Sequence, residues 1–154
     1  MKGIKKVKAF TLSEMVIVLI LTAIVVGLAF SILIIVQNHM KTIQRNLEFT
    51  MELNKLEQSL YLDFNRFSKM EYNPIEDAVS FSSELSNKIY FFHSEFIVKD
   101  RDTFYIALNY KNFYFDGLKI SEGSIDAIKL ETTKTTQNQV LFVFRQNDAT
   151  LYMN

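Results

Sequence analysis

Apolar and polar positions change period twice along the chain. Residues 15–36 carry no charge, and the most polar among them are Thr22 and Ser31. As a helix rising ~1.5 Å per residue this run covers ~33 Å, enough to cross a hydrocarbon core of ~30 Å. Beyond it, Met40, Ile43, Leu47, Met51, Leu53, Leu56, Leu60, Phe64 and Phe67 recur mostly at steps of three and four, with Asn46, Asn54, Gln58 and Asn65 between them. That is the period of an amphipathic helix with one apolar face. No proline precedes Pro74, so the pattern predicts one helix from about Thr11 to Met70, roughly 90 Å long.

From Ile89 onward the period falls to two. "KIYFFHSEFIVKDRDTFYIALNY" holds two β-rich runs around a polar "KDRD" turn. In the second run, strand alternation puts Phe104, Ile106, Leu108 and Tyr110 on one face. "KNFYFDGLKI" places a turn at Asp116-Gly117 between two short strands. "SIDAIKLETTK" alternates, with Ile128 and Leu130 opposite Lys129 and Glu131. "QVLFVFRQNDATLYMN" reads as a closing hairpin around residues 146–148. The expected fold is α+β: a long N-terminal helix packed on a C-terminal antiparallel β-sheet. About 80 residues of sheet are marginal alone, so docking of Leu53–Phe67 is expected to complete the core. Leu47, Leu53, Leu56, Leu60, Phe64 and Phe67 are the expected helix-packing residues, with the lateral faces around Leu47–Leu60 expected to meet other subunits. A coiled coil with a partner is the rival use of that face, but it leaves the strands uncovered.

The flanks of the apolar run set its orientation. Lys2, Lys5, Lys6 and Lys8 precede it without an acid, whereas Glu48 and Glu52 soon follow it. The positive-inside bias puts the short N-terminus in the cytoplasm and the C-terminal part outside. A soluble core helix suits so long a run poorly. A cleaved secretory signal has an apolar core of about 7–15 residues before a small-residue cleavage site, and here the run is longer with no such site after it. An uncleaved signal anchor fits the composition equally well.

Glu14 stands at the threshold of this run and has two readings. "TLSE" fits a capping box, with Thr11 as N-cap and Glu14 reaching back to it, and an acid in the first turn suits the helix dipole. Alternatively, ionisable groups at the edge of a membrane span are functional candidates, because removing them from water is costly. The residues alone leave both open.

The stretch 5–30, "KKVKAFTLSEMVIVLILTAIVVGLAF", resembles the N-terminus of type IV pilins and of the pseudopilins of type II secretion. The family pattern is a basic leader, a small residue, Phe-Thr-Leu-x-Glu and about twenty apolar residues. Here these are Ala9, where the family usually has Gly, then Phe10 to Glu14 and the run. The resemblance implies that a prepilin peptidase cuts between Ala9 and Phe10 and N-methylates the new Phe10 amine. It also implies that Glu14 neutralises the Phe10 amine of a neighbouring subunit in a filament. Buried opposite charges attract strongly, while either alone is penalised.

Composition then excludes other classes. The full chain has 17 basic and 17 acidic residues. Removal of residues 1–9 would take four lysines and leave 13 basic against 17 acidic, which is no nucleic-acid surface. There is no cysteine, hence no disulfide and no thiol nucleophile. His39 and His93 are the only histidines, His39 beside the span and His93 in a strand among aromatics. Ser94 and Ser121 lack a recognisable triad context. Asp100 and Asp102 could ligate Ca²⁺ through oxygen, but two acids in a turn more often form a solvated turn. The 14 Phe and 7 Tyr are explained by strand packing. No enzyme activity, metal or cofactor is expected.

The arrangement after the span also resembles minor pseudopilins of the J type, in which "LxxxLxxD" precedes a β-rich domain; Leu56, Leu60 and Asp63 fit. The resemblance implies a minor subunit of a type II secretion pseudopilus, with a minor pilin of a type IV or competence pilus, serving DNA uptake or adhesion, as the alternative. Expected partners are the prepilin peptidase, other pilins or pseudopilins, the inner-membrane assembly machinery and the lipid bilayer. The expected segments are a leader at 1–9, a membrane helix at 10–36, its amphipathic continuation at 37–72 and an exported β-rich domain at 73–154. The expected location is the inner membrane, with the C-terminal domain periplasmic or extracytoplasmic.

Overall fold

The structure is a computed structural model, and it describes residues 11–134 and 138–145. Helix α1 spans Leu12–Arg66. Ten strands come after it: β1 (Lys69–Asn73), β2 (Ala78–Ser82), β3 (Asn87–Phe92), β4 (Ile97–Lys99), β5 (Asp102–Phe104), β6 (Leu108–Phe115), β7 (Leu118–Ile120), β8 (Gly123–Ser124), β9 (Ala127–Thr132) and β10 (Val140–Phe144). The fold is α+β, one long apolar-headed helix followed by antiparallel sheets. The chain divides into two compact units at Gln44 and Arg45.

In the first unit, every residue described is exposed, including Leu19, Leu28 and Ile32. A helix apolar all round, exposed along every described residue of this unit, matches lipid or neighbouring helices as solvent. The two hydroxyls in the run are satisfied within the helix: Thr22 Oγ1 donates to the Val18 carbonyl, and Ser31 Oγ to the Gly27 carbonyl at 3.1 Å. Such i−4 bonds leave no unmet donor in a medium without water.

In the second unit, the strands form two sheets where the hydrophobic pattern predicts one. Their orders are β5-β4-β3-β2-β1-β8 and β10-β9-β6-β7. The helical residues Leu53, Leu56, Leu60 and Phe64 are buried in one core with Phe67, Phe81, Tyr90, Ile97, Ile128 and Leu130. The rings interlock: Phe64 meets Phe81 edge-on at 5.2 Å between centroids, and Phe81 meets Tyr90 likewise at 5.3 Å. Such contacts add roughly 0.5–1.5 kcal/mol each beyond the area they bury.

Four expectations need correction. The helix ends at Arg66, short of Met70, with Phe67 N–H on the Asp63 carbonyl at 3.0 Å as its last bond. Met70 then lies buried in β1, because Met70 and Tyr72 alternate with Lys69, Glu71 and Asn73. Strands begin twenty residues before Ile89, with β1 and β2 paired from Lys69↔Ser82 to Asn73↔Ala78. The run from Phe104 to Tyr110 is not one strand. It breaks after Phe104, where Ile106 N–H bonds the Phe104 carbonyl at 2.9 Å, and restarts in the other sheet. A bulge between Leu108 and Tyr110 shifts the register, which turns the Tyr110 side chain outward, 61% exposed. An extra residue of this kind re-aims the side chains beyond it.

Leu47 is the fourth. It is 59% exposed, as are Met40, Ile43 and Met51 to a similar degree. The step of two from Met51 to Leu53 turns the apolar stripe by about 200° around the helix, so the upstream positions face away from the core. The turn at Asp116-Gly117 stands where expected, with φ of 51° and 76°. That pair of left-handed residues is what a two-residue hairpin requires. The proposed hairpin around residues 146–148 lies outside the described residues.

Two adjacent residues between β8 and β9 link the two sheets. Ile125 N–H bonds the Met70 carbonyl of β1 at 3.0 Å, and Asp126 N–H bonds the Tyr114 carbonyl of β6 at 2.8 Å.

Candidate assembly site

Glu14 is the third residue of α1, after Leu12 and Ser13. Helix position N3 lies one turn above the N-cap, so its side chain can reach back. It does: Glu14 Oε2 accepts the Thr11 N–H at 2.9 Å and the Thr11 Oγ1 hydroxyl at 2.9 Å. Met15 N–H closes the first turn on the Thr11 carbonyl at 3.2 Å. In the single chain the capping geometry is therefore present, and the carboxylate faces the N-terminal direction with no cation of its own chain on it among the described residues. Ala9 and Phe10 lie outside the described residues.

A second polar cluster fastens α1 to the sheets. Asp63, the acid of the "LxxxLxxD" stretch, is buried on the inner face of α1. Its Oδ2 accepts the Tyr90 hydroxyl at 2.6 Å and pairs with Lys99 Nζ at 2.7 Å. Lys99 Nζ also donates to Ser59 Oγ at 2.8 Å, and Ser59 Oγ lies 2.8 Å from the Tyr90 oxygen. Because the Tyr90 proton is committed to Asp63, Ser59 donates to Tyr90, and the four groups close a ring. The ammonium also sits 5.2 Å from the Tyr90 ring centre. Burial pushes the Tyr90 phenol well above its ordinary value, with the hydrogen bond to Asp63 adding to the effect. The "LxxxLxxD" stretch singles out Asp63, but its partners Tyr90 and Lys99 lie on β3 and β4, too far along the chain for any local pattern to connect.

A third cluster joins the sheets. Tyr72 of β1 stacks on Phe113 of β6 with ring centres 3.8 Å apart. Its hydroxyl donates to Asp77 Oδ1 at 3.0 Å, and Lys111 pairs with the other oxygen of Asp77. Burial, then the hydrogen bond to Asp77, push the Tyr72 phenol up to about 12. Asp77 sits in the β1–β2 turn with φ of 49°, a conformation that aspartate tolerates better than most side chains.

The other singled-out groups are dispersed. His93 is not in a strand: it lies exposed in the β3–β4 turn, its ring centre 4.6 Å from that of Phe96. His39 is exposed on α1. Asp100 pairs with Lys88 across the edge of the first sheet. Ser94 and Ser121 are exposed turn residues. Nothing in these positions converges on a reacting centre.

No curated protein and no solved structure matches the chain. Residues 4–30 match one family, described as "Prokaryotic N-terminal methylation motif". The matched stretch contains Phe10, the Thr11–Glu14 cap and the first half of the exposed apolar helix. One helix among the described residues is long and apolar enough to cross a membrane, and with the motif it fits anchoring in the inner membrane. The motif implies processing by a prepilin peptidase and assembly with other pilins, and residues 4–30 are in that respect type IV pilin-like.

Proposed function

We propose that this chain is a minor subunit of a type II secretion pseudopilus, a structural part of a machine that moves proteins across the envelope. The observation that carries the reading is the coincidence, within residues 4–30, of the methylation motif with a carboxylate at the head of an apolar helix whose described residues are exposed. In this reading the peptidase removes residues 1–9 and methylates Phe10. Residues 10–36 cross the inner membrane with the N-terminus cytoplasmic, and the chain after residue 36, the rest of α1 with both sheets, lies outside. On entry to the filament, Glu14 exchanges part of its bonding to Thr11 for the Phe10 ammonium of a neighbour. That exchange aligns each subunit axially, because an unpaired charge in the bundle is strongly disfavoured.

The minor, J-type placement is supported by the arrangement of "LxxxLxxD". Leu56, Leu60 and Asp63 all face the β domain. With Leu56 and Leu60 buried, the lateral surface for other minor subunits is the exposed face at Leu47 and Met51. Deletion of the gene, followed by parallel assays of protein secretion and DNA uptake, tests the assignment. Loss of secretion with normal DNA uptake supports it, and the opposite result moves the chain to a competence pilus.

A further inference from the structure

The two sheets of the second unit have four edges, and three are blunted. Strands β5, β7 and β8 are three, three and two residues long, and the first two carry Asp102 and Lys119. Short or charged edges discourage strand addition. The fourth edge, β10, is five residues of "VLFVF" without charge or proline. Gln139 and Arg145, at its two ends, both bond toward β9: the Gln139 carbonyl accepts the Thr132 N–H at 2.9 Å, and Arg145 N–H donates to the Asp126 carbonyl at 2.8 Å. Strand alternation then directs the backbone N–H and C=O groups of Val140, Phe142 and Phe144 away from β9, toward the open side. A groove of about 580 Å³ runs between this edge and α1, bordered by Phe142 and Phe144 on one side and Glu57, Tyr61 and Asn65 on the other. Its volume is in the range of ~300–1,000 Å³ usual for clefts that hold ligands.

We propose that this groove binds an extended peptide segment of another protein, which adds to β10 as a fifth strand of the second sheet. This row of backbone groups, unpaired among the described residues, is satisfied by another extended backbone and by little else. Five residues at ~3.3 Å each set a footprint of about 17 Å. Side chains at alternate positions of the peptide meet Tyr61 and the two phenylalanines, so they are apolar. Glu57 is the charged residue of the lining, so the peptide carries a cation at the end that faces it. The site lies in the second unit and does not require the filament reading.

The test uses the full-length protein in detergent micelles and a labelled, end-capped peptide, Lys-Val-Thr-Val-Thr-Val. A second peptide of the same sequence carries N-methyl groups on alternate amides, which removes strand pairing while preserving apolar character. The expected result is at least tenfold tighter binding of the unmethylated peptide by fluorescence anisotropy, with hydrogen-exchange protection at the amides of Val140, Phe142 and Phe144. Phe142→Pro, which removes one outward N–H, should weaken binding at least tenfold. Glu57→Lys, on the exposed face of α1, should reverse the preference in favour of a Glu-headed peptide. Equal binding of the two peptides, or protection elsewhere in the protein, overturns the proposal. So does a dimer that pairs through β10 and excludes the peptide, which assigns the edge to a second copy. Binding gained only when the chain is truncated after Arg145 overturns it too, by assigning the edge to the chain's own end.

Discussion

The Tyr90 hydroxyl lies 2.6 Å from Asp63 Oδ2, so the most buried tyrosine of the sheet is bonded to the buried acid of the helix. Around this pair, Lys99 and Ser59 complete a closed set of donors and acceptors. The arrangement holds α1 at one rotation and one height on the strands, since sliding by a single residue would strand every member.

Breaking the ring from one side should be costly. Asp63→Asn or Lys99→Met leaves the opposite charge buried, and loss of one member of a buried pair costs roughly 3–5 kcal/mol. Thermal unfolding of the full chain in micelles, followed by tyrosine near-ultraviolet circular dichroism, measures it. The double variant Asp63→Leu with Lys99→Met should be far less destabilised than the sum of the singles. Additive losses would show that the two residues act separately.

Alkaline pH should loosen the β domain through its tyrosines. Tyr72 ionises at about 12 when folded against ~10 in an unfolded chain, so the folded state holds its proton longer. Its contribution is complete below pH ~10 and is lost as pH rises from there toward 12. Tyr90 shifts in the same direction. Tyr72→Phe should therefore flatten the fall in stability above pH 10, and an unchanged slope would refute the linkage.

Processing gives a third prediction. Membrane-extracted protein from a host with a prepilin peptidase should have the mass of a chain that begins with N-methyl-Phe10. A persistent Met1 terminus in such a host would count against cleavage after Ala9.

The two roles of Glu14 separate by substitution. Glu14→Leu should still insert in the membrane and still be processed, because the run becomes more apolar and the cut lies four residues away. It should fail to enter filaments, because the neighbour's ammonium is left without a partner. Glu14→Asp should assemble partially, since it keeps charge but loses reach. Complementation of secretion, with membrane fractionation as the control for insertion, is the assay. Normal assembly of Glu14→Leu would leave capping of Thr11 as the whole role.

How much of the fold is legible in the chain depends on how local each signal is. The Thr11–Glu14 cap, the stripe from Leu53 to Phe64 and the Asp116-Gly117 turn each arise from residues a few positions apart. Strands β1 and β2 are hard to see because their apolar positions, Met70, Tyr72, Val79 and Phe81, are few and set among polar residues such as Ser80 and Ser82. The break at Phe104 is hidden because alternation persists through a change of sheet. The ring around Asp63 is out of reach for a different reason: the Ser59–Lys99 bond spans 40 positions, and only the packed fold brings such groups together. Leu47 is misplaced when recurrences are counted without tracking their phase.

The joint at Ile125 and Asp126 has a mechanical consequence. Adjacent amides grip different sheets, Ile125 on β1 and Asp126 on β6. A pull on one sheet therefore reaches the other directly at this peptide unit, beside the Tyr72–Phe113 stack and the Lys111–Asp77 pair that also join them. Under load the two sheets should yield together, in one rupture event rather than two.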